Sequence, residues 1–201
     1  LIEFAKAHPD LVIDIDFSDR YVDLVEEGFD LGLRIGELQD SSLVARRLTD
    51  IRATLCASPD YAAACGAVDT PADLAGRPWL RYANQPAGPL SCRAPDGKLV
   101  ALRLRIAMTA GNGEFLRDAA IAGLGLTLLP NFIVYEALER GDLVPMLPRY
   151  HWRGVSAWAI YPPTRHLSLR VRRFIDFLAD RFGEHPYWDH PCPVPAAVEP
   201  P

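Results

Sequence analysis

Apolar and acidic residues alternate with period two in LVIDIDF, Leu11 to Phe17, and the run is rich in β-branched types, which predicts a strand. Ser18 or Asp19 then supplies an N-cap for a helix over RYVDLVEE. Tyr21, Val22, Leu24 and Val25 share its apolar face, and Gly28 stands where it should stop. FDLGLRI is the next strand. With the opening LIEFAKAHPD as a half-helix, the order helix, strand, helix, strand predicts βαβ units and a mainly parallel sheet covered on both faces.

Past a loop, IRATLCASP (Ile51 to Pro59) reads as a strand and DYAAACG as a short helix. TPADLAG carries Thr70 as a cap and Pro71 at the first helical position, and PWLRY follows as a strand. The pattern then changes. In LSCRAPDGKLVALRLRIAM an Asp-Gly turn precedes the alternating Val100, Leu102, Leu104 and Ile106, an antiparallel hairpin with one buried face and the sign of a second lobe. Further on, Asn112 can cap a helix that turns Phe115, Leu116 and Ala119 to a core and stops at Gly123. LGLTLLP is then a strand ending at Pro130, and Asn131 can cap a helix that stops at Gly141. LVPML and VSAWAIYP are further strands. LSLRVRRFIDFLADRF is a long amphipathic helix whose Leu167, Val171, Phe174, Ile175, Leu178 and Phe182 recur at helical spacing, with Arg170, Arg172 and Arg173 on a solvated or partner-facing side.

Composition narrows the classes. The 201 residues are 49% hydrophobic, enough for one large domain or two small lobes. A formal charge of -5 argues against a sequence-independent grip on nucleic acid or anionic lipid, which rests on a basic surface that releases counterions. No run approaches the ~18 apolar residues of a membrane span, and no signal segment opens the chain, so no membrane partner and a cytoplasmic location are expected. The opening reads as the back half of an amphipathic helix, with Leu1, Ile2 and Ala5 on one side, so a further segment is expected upstream. Cys56, Cys65, Cys92 and Cys192 form no paired spacing and read as scattered reduced thiols. In HPYWDHPC, His185, Asp189, His190 and Cys192 have ligand chemistry. The surrounding Pro186, Pro191, Pro193 and Pro195 leave no helix or strand to hold a metal, so none is expected, and 184–201 reads as a proline-rich tail.

Candidate chemistry is sparse. The chain has no G-x-S-x-G elbow, no phosphate-binding loop, no HExxH and no dinucleotide fingerprint, so no catalytic residue and no cofactor are assigned. Arg34 is the charged residue that stands out, near the end of an apolar strand and before Gly36. One reading is recognition of an anion at the carboxyl end of a strand, where guanidinium can pair bidentately with a carboxylate. The other is a local ion pair with Asp30 or Glu37, or a side chain reaching solvent. Asn112 likewise has two readings, a cap alone or the mark of a helix start that offers free amides to an anion.

The segments SDRYVDLVEEGFDLGLRIGELQDSSLVARRL, LCASPDY, TPADLAG, WLRY, NGEFLRDAAIAGLGLTLLPNFIV, ERGDLVPML and YPPTRHLSLRVRRFIDFLADRF resemble, in order, the effector-binding domain of LysR-type transcriptional regulators, over about Leu1 to Phe182. The resemblance implies an α/β fold of the type II periplasmic-binding-protein kind, two lobes joined by two crossover strands near 52–58 and 155–161. It makes residues 1–54 plus 156–183 a discontinuous lobe I and 55–155 an inserted lobe II. Family members open with a strand and loop before the first helix, and neither is in this chain. The resemblance further implies an interlobe effector site lined by Ser18, Asp19, Arg34, Tyr82, Asn84, Asn112, Gly113, Pro130 and Phe132. A small anionic metabolite is the expected effector, and a homodimer or homotetramer the expected assembly, with Leu169 and Phe177 as candidate contacts. DNA would be met only through a winged helix-turn-helix outside this chain. Rival readings are a transporter's solute-binding protein, which shares the fold, and a small α/β enzyme acting on organic acids with Arg34 as its clamp.

Overall fold

A computed structural model describes residues 1–17, 22–38, 42–85, 88–163, 167–183 and 186–189. The chain divides into two compact units, residues 1–50 with 155–186, and residues 51–154 with 187–201. It therefore passes from one unit to the other at Asp50/Ile51, Gly154/Val155 and Pro186/Tyr187.

In unit 1, α1 (Ile2–Ala7) buries Phe4. The segment after it departs from expectation: residues 11–17 adopt no regular structure, with Val12 99% and Phe17 85% exposed. Alternation prepares a strand but supplies no partner for its amides, and an unpaired strand is not stable in water. The helix expected over 20–27 is also replaced where it is described. The Asp23 carboxylate accepts the amides of Val25 (2.9 Å) and Glu26 (3.1 Å), closing a turn in place of a helical repeat, and Gly28 sits at φ 76°. β1 (Gly32–Gly36) and β2 (Val44–Ile51) follow. β2 occupies residues expected as loop: its first half is exposed, and it is held by pairing with β11 of the same sheet, with an Arg46–Asp176 ion pair of 2.5 Å alongside.

Unit 2 begins with β3 (Ala53–Ala57), whose Leu55, Cys56 and Ala57 are fully buried. Ser58 caps α2 (Pro59–Cys65) through the Tyr61 amide, and Thr70 with Asp73 forms a reciprocal capping box over the 3-10 turn Pro71–Leu74. Then come β4 (Pro78–Tyr82), β5 (Leu90–Arg93), β6 (Leu99–Leu102), β7 (Arg105–Ala110), α3 (Gly113–Ile121), β8 (Thr127–Pro130), α4 (Asn131–Arg140), β9 (Val144–Pro145) and β10 (His151–Trp152). The expected hairpin is β5–β6, but its alternation does not run on to Ile106. The chain leaves at Arg103 and Leu104, and β7 pairs in parallel with β4, leaving Ile106 54% exposed. Phe115, expected in the core, is 52% exposed. At the start of α4 the N-cap is Pro130, and Asn131 is already helical.

The chain then returns to unit 1 as β11 (Val155–Tyr161), followed by α5 (Leu169–Phe182). The sheet here has the order β1-β11-β2, with β1 antiparallel to β11 and Arg34 opposite Trp158, so the parallel arrangement expected from the helix–strand alternation is not what forms. Phe4 packs on Phe174 and Phe177, with ring centroids at 4.7 and 5.3 Å. Phe177, expected at a contact with a second chain, is thus engaged within its own, whereas Leu169 is 62% exposed. Among the described residues, no helix is long and apolar enough to cross a membrane.

The organising feature of unit 2 is burial of its sheet on both faces. Successive residues point to opposite cores: Leu55, Trp79 and Leu126 to one with Leu74, Leu102 and Met146, and Cys56, Leu80 and Leu129 to another with Leu116, Ala120 and Val134. The two strand groups meet where the Leu80 amide donates to Leu126 (2.8 Å) and the Leu126 amide donates to Pro78 (3.0 Å). Gly125 permits this approach, with φ 155° and room for a Cβ only 2.7 Å from the Pro78 carbonyl oxygen. Gly125→Ala is therefore expected to destabilise unit 2 by about 2 kcal/mol. Urea denaturation followed by circular dichroism checks this, and an unchanged midpoint would contradict the close-approach account.

Candidate functional site

Three strand ends come to one edge of unit 2. β4 and β7 are parallel with Tyr82 opposite Ala110, and the Ala83 amide extends the ladder to Ala110 at 2.8 Å. A parallel bridge between Trp79 and Leu126 sets β8 in the same direction beside β4. The carboxyl ends of these strands lead respectively into Asn84, Asn112 and Pro130, the arrangement in which open α/β sheets bind their ligands.

Tyr82 is half-buried and its hydroxyl lies 3.5 Å from the Asn84 amide nitrogen, while Asn84 itself is exposed. Behind them Gln85 donates to the Leu128 carbonyl (3.1 Å), and its own backbone carbonyl accepts from Arg81 (3.1 Å). Gln85, which sequence reasoning passed over, therefore ties the turn after β4 to β8. Its side-chain oxygen is buried with no hydrogen-bond partner among the described residues. No local signal in the sequence marks it, because its partner, the Leu128 carbonyl, lies 43 residues on.

Asn112 caps α3: its side-chain oxygen accepts the Phe115 amide at 2.7 Å. The positive end of the helix dipole then lies at the exit of β7, next to the Tyr82 strand end. Gly113 is buried for a packing reason. A Cβ there would lie 2.6 Å from Cδ1 of Ile133, so its absence lets α3 start against α4.

Pro130 and Phe132 lie at the end of β8 and the first turn of α4, but this corner is already occupied. Phe132 meets Trp188 edge-on at 6.0 Å, and Asn131 accepts from the Thr54 hydroxyl (2.8 Å) while donating to Asp189 (2.7 Å). Asp189 also faces Arg52 at 3.6 Å, and its side chain is 9% exposed. Residues 186–189, in the segment read as a tail, thus include a 3-10 turn, Tyr187–Asp189, on α4. Asp189, weighed as a metal ligand, is used here by Asn131 and Arg52; His185, His190 and Cys192 lie outside the described residues, among which no cluster of three or more ligand groups occurs. Nearby, the Tyr135 hydroxyl is pushed up to about 12, first by the hydrogen bond it donates to Glu136, and so stays protonated and neutral at physiological pH.

The remaining expected site residues belong to unit 1. Ser18 and Asp19 lie outside the described residues. Arg34 is half-buried on β1, next to Ile35 and opposite Trp158, whose indole donates to the Gly36 carbonyl at 3.2 Å. A separate open groove in unit 1, of about 430 Å³, is lined by Val44, Arg46, Tyr161, Leu167, Arg172, Ile175 and Asp176. None of the expected site residues lines it.

Two α/β units, the second inserted into the first, with strand ends gathered at one edge, define a type II periplasmic-binding-protein-like fold. The family model of the LysR substrate binding domain matches residues 1–183, and the chain belongs to that family. The regulator DmlR of Escherichia coli (strain K12) is 35% identical over 187 residues, covering 92% of this chain and 60% of DmlR. The CrgA regulatory domain of Neisseria meningitidis is 30% identical with a TM-score of 0.78, over 90% of this chain and 89% of that one. The full-length virulence activator AphB of Vibrio cholerae is 28% identical with a TM-score of 0.77, over 89% of this chain and 61% of that one. The chain spans 58 to 60% of the length of the first curated relatives it matches, and these relatives are transcriptional regulators.

The cap makes a separable prediction about Asn112. Asn112→Ala is expected to lose about 1 kcal/mol of stability, whereas Asn112→Asp, which keeps the acceptor and puts a negative charge at the dipole, should retain it. Thermal denaturation of the two variants checks this. Equal losses would mean that the side chain does more at this position than cap.

Proposed function

We propose that this chain is the ligand-sensing part of a LysR-type transcriptional regulator, with residues 1–54 plus 156–183 and 55–155 as its two lobes. The family match over residues 1–183 carries the reading. A small anionic metabolite binds between the lobes, with Arg34, Ser18 and Asp19 on one side and Tyr82, Asn84, Asn112 and Gly113 on the other. Pro130 and Phe132 border the site. The chemistry is recognition without turnover: guanidinium and helix-end amides hold a carboxylate, and polar side chains at strand ends fix its orientation. The regulator works in the cytoplasm as a dimer or tetramer and contacts DNA through a separate helix-turn-helix domain.

For sensing, the metabolite must bind one lobe arrangement better than the other, because equal affinity shifts nothing. A differential of about 1 to 3 kcal/mol is enough for regulation. A ligand at a hundred times its Kd stabilises its domain by roughly 2.7 kcal/mol, a shift that thermal denaturation reads directly. Screening small organic acids this way should yield a stabilising carboxylate. Arg34→Ala should then weaken its binding tenfold or more in calorimetry while changing the stability of the free protein by less than about 1 kcal/mol. Unchanged affinity would remove Arg34 from the site, and chemical turnover of the acid would replace the sensor with an enzyme.

A further inference from the structure

The open groove of unit 1 is lined by residues of β2, the end of β11 and α5, and none of them belongs to the effector site described above. Its volume of about 430 Å³ falls within the ~300–1,000 Å³ of small-molecule sites. Val44 and Arg46 stand two apart on β2 and so share a face of the strand. Arg172, Ile175 and Asp176 stand three and four apart on α5 and so share a face of the helix. Val44, Leu167 and Ile175 give the groove its apolar part, Ile175 being 1% exposed. Tyr161 and the three charged side chains give it its polar part.

The charges decide what such a groove can hold. At a spacing of four, Asp176 is the natural helix partner of Arg172. It is instead drawn across to Arg46 on β2, at 2.5 Å, which offsets the Arg46 charge. Among the described residues the Arg172 guanidinium then has no ion pair and no side-chain hydrogen bond. One uncompensated cation is left beside an apolar surface. We propose that this groove is a second small-molecule site, for a monocarboxylate with a compact apolar body. The carboxylate pairs with Arg172, whose guanidinium offers it two parallel donors, and the hydrocarbon lies on Val44, Leu167 and Ile175. A second negative charge would find only Arg46, already held by Asp176, so the site favours a monocarboxylate over a dicarboxylate. All of these residues lie in unit 1, and the proposal stands whether or not an effector binds elsewhere.

The test titrates the full chain, with its methyl resonances assigned by NMR, against cyclohexanecarboxylate and, separately, the uncharged cyclohexanecarboxamide. The acid should shift the methyls of Val44, Leu167 and Ile175 in a saturable way, and the amide should bind about tenfold more weakly. Arg172→Gln should weaken binding of the acid by a similar factor, the loss expected when one charge-assisted contact is removed. Arg172 is exposed on α5, so this variant keeps its fold. Groove methyls that do not respond, that respond equally to acid and amide, or that respond as before in Arg172→Gln would overturn the proposal. Shifts confined to Leu33 and Ile35, which flank Arg34, would overturn it as well and give the acid to the effector site. Groove shifts that follow protein concentration and not the acid would make this face a contact between copies of the chain, the third result that would overturn it.

Discussion

The approach of β4 to β8 across Gly125 is the constraint from which the candidate site follows. Backbone groups of Pro78, Leu80 and Leu126 can exchange hydrogen bonds there because no side chain stands between them. Thr127 reinforces the junction by donating its buried hydroxyl to the Leu80 carbonyl at 3.1 Å. Once β8 is fixed beside β4 and β7 beside β4, Tyr82, Ala110 and Pro130 must finish at the same edge. The site is thus a consequence of strand direction. The loops add side chains to a place that the sheet has already chosen.

What the sequence disclosed followed from how local each signal was. PWLRY matches β4 residue for residue, Asn112 caps α3, and Gly141 ends α4 in the left-handed conformation, because each of these depends on a few neighbouring residues. LVIDIDF did not become a strand, since its alternation says which faces it would present and nothing about a neighbour to pair with. VARRLTDI hid a strand for the opposite reason. Its first half is exposed and carries two arginines, and what makes it a strand is pairing with β11, far along the chain, with an ion pair to Asp176 beside it. The proline-rich surroundings of Trp188 suggested a tail, yet the ring is buried because Phe132 offers it a face, a fact that exists only after folding.

The candidate site shows the same division. Tyr82, Asn84 and Asn112 were legible as residues at strand exits and a helix start, and they share one edge of unit 2. Gly113 entered the expected site only through the resemblance, and the structure gives it a packing role against Ile133. Gln85 was not legible, because its contact is with the carbonyl of Leu128, 43 residues on. Arg34 was legible as a charge near the end of an apolar strand, and it lies half-buried on β1 opposite Trp158.

These pieces bear on how such a domain could respond. A sensor built from two units needs them joined well enough to act as one body and loosely enough to take up more than one arrangement. Two of the crossings between units here are continuous with sheet strands: β2 runs into β3 at Ile51, and β11 begins at Val155 as the chain leaves unit 2. After the third boundary the Tyr187–Asp189 turn is held within unit 2 by two ring contacts, an amide and an ion pair. The seat of this turn begins at Asn131 and Phe132, immediately after the strand end at Pro130. The end of β8 and the residues that hold the Tyr187–Asp189 turn are therefore neighbours along the chain.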